Sequence, residues 1–176
     1  MNEEKQFEWQ AFGRARWGPA RVMVRDGLIE ATVGDAVVQL DVTDRRPAAE
    51  RQENPWRSAF DAGVPVNLNG TRVATVTTEP GSPGGLVRRK RHTITGDAGF
   101  VLPGMRYTGR SLPDLVTLRC DAGVLVASRR WASPINVAVT EWSIVREYDL
   151  IAPRVTKLAR PEHIALWMAL KESQRS

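Results

Sequence analysis

From Ile164 to Leu170 the chain runs seven apolar residues without a break, inside the segment Pro161–Glu172. A helix lying on a protein surface keeps a polar stripe toward water. This segment has none, and a helix apolar on every side is normally enclosed by the rest of the protein. Twelve residues at 1.5 Å each span roughly 18 Å, about the height of a small barrel. The polar residues at its two ends, Glu162 and then Lys171-Glu172, mark how far an enclosure can extend.

What precedes this segment reads as short strands. Asp26-Gly27 separates Arg21–Arg25 from Leu28–Val33, and Asn69-Gly70 separates Val64–Leu68 from Thr71–Thr78. Both dipeptides suit the two-residue turn that needs positive φ at its central positions. Ala36, Val38, Leu40 and Val42 alternate with more polar positions, a half-buried strand of period two. Pro103-Gly104 and Asp121-Ala-Gly123 mark further turns, with Leu118 and Cys120 sharing one face of a strand. That parity makes Cys120 a buried small hydrophobe before it makes it a nucleophile. Ile135–Val139 and Trp142–Leu150 read as the last strands. Residues 43–63 interrupt the pattern. Pro55–Phe60 reads either as a short helix with Trp56 and Phe60 on one face or as a structured loop. The expectation is one mainly β domain over 9–176. It is an antiparallel meander barrel of about ten to twelve short strands, enclosing or clamped on a helix at about 161–172. Residues 1–8 are expected to be a flexible polar lead-in, and Trp9–Trp17 is a first strand or a short helical turn.

The chain has 176 residues and one cysteine, so no internal disulfide forms. That suits a reducing compartment, and a cytoplasmic location is expected. The N-terminus lacks an apolar signal-peptide core, and no run approaches a membrane span of about 18 apolar residues. The net charge is +5, carried mostly by arginine. It reflects either a compositional preference for arginine or a surface that attracts phosphate.

Two basic clusters stand out: Arg88, Arg89, Lys90 and Arg91, followed by His92, and then Arg129 and Arg130. Strand geometry puts Arg88, Lys90 and His92 on one face and Arg89 and Arg91 on the other. Such a strand suits the middle of a sheet buried on both sides poorly, and its plainest reading is an edge protected by charge. If it adjoins the strand leading to Arg129, the clusters make a cationic patch able to grip phosphate. Only two histidines are present, His92 and His163. With one cysteine they supply no zinc constellation, and no nucleophile elbow, P-loop or dinucleotide fingerprint occurs. No cofactor or catalytic residue is implied. At the helix entry, His163 is expected to pack or to hydrogen-bond. A nucleic-acid reader would add a basic recognition helix or an aromatic sheet motif, and neither is visible.

Arg146-Glu-Tyr-Asp-Leu-Ile-Ala-Pro153, followed by Pro161-Glu-His-Ile-Ala-Leu-Trp-Met-Ala-Leu170, resembles the ending of the tubby C-terminal, LURP-one and phospholipid-scramblase-like superfamily. The resemblance covers about residues 142–172. It implies an antiparallel barrel around an apolar helix, and a role as a binding module or adaptor for phospholipid head groups at an anionic membrane surface. His163 and Trp167 depart from it, being polar or bulky for a helix that threads a barrel. Other folds compatible with the pattern are a smaller barrel capped by a helix and a β-sandwich with a helix on one face. Other functions are a protein-interaction or assembly component using an edge strand or exposed tryptophans, and an enzyme on a β scaffold.

Overall fold

The computed structural model describes residues 3–7, 20–25, 27–43, 55–79, 89–110, 117–128 and 153–173. They form eleven strands and two helices in the order β1 (Glu3–Phe7), β2 (Ala20–Arg25), β3 (Leu28–Val33), β4 (Ala36–Asp41), α1 (Pro55–Ala62), β5 (Val64–Leu68), β6 (Thr71–Thr78), β7 (Arg89–Gly96), β8 (Arg106–Arg110), β9 (Thr117–Cys120), β10 (Gly123–Ser128), β11 (Pro153–Val155) and α2 (Pro161–Ser173). The sheet order is the sequence order, and every neighbouring pair is antiparallel. Each described strand therefore pairs with the described strands before and after it in the chain.

The turn residues explain the register. Asn69 and Gly70 have φ of 49° and 84°, the paired positive values that a type I′ turn needs. Asn69 also clamps the neighbouring strand. Its amide donates to the Val37 carbonyl at 2.8 Å, and its Oδ1 accepts the Val37 amide at 2.9 Å. At Gly96 a side chain would collide with the backbone, since a Cβ would lie 2.2 Å from the Val73 carbonyl oxygen.

Alternation then selects the inner face. Ile29, Ala31 and Val33 on β3, Val38 and Leu40 on β4, and Val64 and Val66 on β5 are all buried. On β10 the alternation fails: Leu125 and Val126 are consecutive and both buried. The register shifts there between Val124 and Val126, so the unpaired residue of a bulge turns its side chain inward as well. Cys120 is buried in the same core, as its parity predicts.

The helix α2 fills the space the sheet surrounds. Every residue from His163 to Lys171 is buried, and Trp167 is 1% exposed. The helix contacts β2, β3 and β4 and also β8, β9 and β10. β3 and β9 stand six positions apart in the sheet. At roughly 4.8 Å per strand that is about 29 Å along a flat sheet, against a helix about 10–12 Å across. Both can touch one helix only because the sheet curls around it. The second helix, α1, packs on β6 and buries Phe60 against the ring of His92, with centroids 4.7 Å apart. Residues 55–62 are thus helical, the first of the two readings of that segment.

Two strands depart from the sequence pattern. Glu3–Phe7, within the expected polar lead-in, pairs along its length with β2. Pro153–Val155, beyond the expected last strand Trp142–Leu150, pairs with β10. Ladder pairing uses backbone groups, so a short strand at the end of a sheet needs no alternating apolar pattern. The expected strands Ile135–Val139 and Trp142–Leu150, and the segment Trp9–Trp17, lie outside the described residues.

Candidate anion-binding face

On β7, His92 and Ile94 are buried, so Arg91 and Thr93 take the opposite parity, and Arg91 is exposed. On β8, Met105 and Tyr107 face the core, which turns Arg106 and Thr108 outward. On β9, Leu118 and Cys120 face the core and Arg119 is exposed. The ladders align these residues: Arg91 lies opposite Thr108, Thr93 opposite Arg106, and Arg106 directly opposite Arg119. The outcome is a cationic outer face on three adjacent strands, centred on two arginines facing each other across a ladder.

Like charges directly opposite on a sheet destabilise it. Among the described residues no counter-charge relieves the pair: Arg91, Arg106 and Arg119 form no ion pair with any of them. The acid at the rim, Glu79, accepts a hydrogen bond from the Thr93 hydroxyl at 3.3 Å. An arginine fork matches a phosphate or carboxylate group and remains charged at any physiological pH.

Of the residues singled out in the sequence, Arg91 belongs to this face. Arg89 and Lys90 lie on the same strand, opposite Arg110 and Gly109 in the backbone register; that strand is not the expected charged edge, since β6 and β8 pair with it on either side and its outer face alone carries the charge of Arg91. Arg88, Arg129 and Arg130 lie outside the described residues. The strand that leads to Arg129, β10, does not adjoin β7, because β8 and β9 stand between them. Arg106 and Arg119 were missed because each is isolated in the sequence. The available signal was the core alternation on either side, Met105 and Tyr107 around one and Leu118 and Cys120 around the other.

The two histidines serve the core. His92 is buried between the rings of Phe60 and Tyr107, the latter with centroids 5.9 Å away and stacked, and its Nδ1 lies 3.5 Å from the Thr78 hydroxyl. His163, fully buried, makes two bonds of opposite sense. The Arg160 backbone amide donates to its Nδ1 at 3.2 Å, and its Nε2 lies 2.9 Å from the Phe100 carbonyl oxygen. An amide can only donate and a carbonyl can only accept, so the ring is neutral and carries its proton on Nε2. Burial lowers the pKa of His163 below the ordinary histidine value, and the Arg160 charge adds to this. The bond to Phe100 and the Glu162 carboxylate oppose it. Arg160 further donates through its guanidinium to the Gly99 carbonyl and pairs with Glu162 at 2.8 Å. The expected role of His163 at the helix entry is the one the structure shows.

Among the described residues no group of three or more His, Cys, Asp or Glu side chains could hold a metal ion. No described helix is long and apolar enough to cross a membrane. Compared with protein-family models, curated proteins and solved structures, the chain matches none.

Proposed function

We propose that the protein is a non-catalytic binding module that holds a phosphate-bearing anion, a phospholipid head group or a soluble phosphate ester, on the outer face of β7–β9. The observation that carries this reading is the Arg106–Arg119 pair, which no described residue relieves, with Arg91 beside it. An anion between the two guanidinium groups would convert a destabilising juxtaposition into two charge-assisted contacts. The resemblance of residues 142–172 to a superfamily of lipid-binding barrels supports the same ligand chemistry.

Sedimentation with vesicles of phosphatidylcholine, with and without phosphatidylserine, tests it at moderate salt. Binding is expected only with the anionic lipid and should weaken as salt rises. Each basic residue at such a surface contributes about 1 kcal/mol, so an Arg91→Gln/Arg106→Gln/Arg119→Gln variant should bind about a hundredfold more weakly. A parallel thermal-shift titration with inositol hexakisphosphate separates the sources. Stabilisation without vesicle binding would assign a soluble ester. Unchanged binding of both probes in the triple variant would overturn the reading.

A further inference from the structure

We infer that His163 is a proton-sensitive latch: its neutral ring joins the first turn of α2 to the 97–105 connection between β7 and β8, and a proton added at Nδ1 releases that turn. In the closed form the ring sits at the third position of the helix and accepts the backbone amide of Arg160, the residue just before the helix. A side chain that reaches back in this way occupies the place of the acidic partner in a capping box. Its other nitrogen is fixed across 63 residues of sequence to Phe100, whose ring packs 5.8 Å from the imidazole. One neutral side chain therefore holds two elements together.

Three features of the geometry oppose a second proton on that ring. The lone pair that would receive it already accepts the Arg160 amide, so protonation sets two donors against each other. The Arg160 guanidinium stands in the same turn, bonded to the Gly99 carbonyl next to Phe100. The amino end of a helix also carries partial positive charge and disfavours a cation. The Phe100 carbonyl, which accepts from Nε2, and the Glu162 carboxylate oppose these, and Glu162 is engaged by Arg160 at 2.8 Å. From the other elements packed on α2, charged residues such as Arg21, Glu30, Asp41, Arg106 and Arg119 sit at non-core positions of their strands, away from the buried ring. Asp97, in the connection itself, is exposed. Solvent protons reach the ring when the turn opens. The open turn binds a proton with the ordinary histidine affinity, so acid draws the equilibrium toward the open form.

Hydrogen exchange on the intact protein tests this through the amides of His163 and Ile164, both of which donate to the Arg160 carbonyl, at 3.0 and 3.3 Å. Protection factors, corrected for intrinsic exchange, should fall with acid by about tenfold per pH unit below about 6.5. Those of Ile29 and Ala31 in β3 follow the global stability and should stay well above those of the latch amides at every pH. A His163→Gln variant can still accept and donate but cannot titrate, so its factors should stay flat. Unchanged protection in the natural protein between pH 7 and 5 would overturn the latch. So would protection equal to that of β3 at every pH, or an equal fall in the glutamine variant. Should that variant not fold, ring nitrogen chemical shifts of the natural protein decide, and any form at pH 7 other than neutral Nε2–H refutes it.

Discussion

Replacing Trp167 with alanine removes the largest fully buried side chain of the core from the middle of α2. The indole is 1% exposed, so nearly its whole surface is returned to a cavity that the surrounding strands cannot close completely. Tryptophan-to-alanine changes of this kind cost about 3–5 kcal/mol. The substitution also strips Lys171, itself buried, of the ring lying 5.1 Å beneath its ammonium group, which adds about 0.5–2 kcal/mol. A loss of about 4 kcal/mol or more is expected, set against a total of roughly 5–15 kcal/mol for a domain. With a urea dependence of about 2 kcal/mol per molar, the unfolding midpoint should fall by about 2 M, read by circular dichroism. Leu158→Ala is the matched control, because Leu158 is 45% exposed and its loss should move the midpoint by less than about 0.3 M. Trp167→Phe should fall between the two. If Trp167→Ala shifts the midpoint no more than the Leu158 control does, the helix is not enclosed and the reasoning from its unbroken apolar run fails.

Stability should depend on pH through His163. Its folded pKa is lowered, so its contribution is complete above about 6.5, declines as pH falls below that value and is gone once pH has passed the lowered folded value. Urea midpoints measured from pH 8 to 5 should show this decline, and His163→Gln should remove it. Arg119→Glu should stabilise the sheet by about 0.5 kcal/mol by ending the like-charge pairing with Arg106. The same variant should lose anionic-vesicle binding, and a fall in thermal midpoint would contradict the register. Gly96→Ala should cost about 2 kcal/mol or more by thermal melt, because its methyl group would strike the Val73 carbonyl. Asn69→Ala should cost about 1–2 kcal/mol, since it gives up both the positive-φ position and the Oδ1 bond to Val37.

The meander and its central helix were legible because the signals are local. An unbroken apolar run needs no partner to declare itself, and Asn69-Gly70 states its turn within two residues. The helix at 55–62 stayed open because Trp56 and Phe60 suit a pinned loop as well as a helix face. Glu3–Phe7 was not legible, since nothing in five polar or mixed residues says that a strand edge waits for them. The candidate face was half legible for a related reason. The density of charge drew attention to Arg88–Arg91, but charge density in sequence is not proximity in space. Arg106 and Arg119 lie 13 residues apart and become neighbours only through the β8–β9 register.

The position of α2 behind all eleven described strands sets an order of events during synthesis. Hairpins such as β2–β3 close in about 1–10 μs, as soon as both strands have emerged. At about 5–20 residues per second, the ribosome then takes on the order of ten seconds to deliver the segment that fills their concave side. For that interval the inner residues Ile29, Val38, Leu40 and Val64 face water or one another. A nascent chain of this design needs shelter for its unfilled half, and stalling upstream of Pro161 would leave an apolar trough seeking any helix that fits.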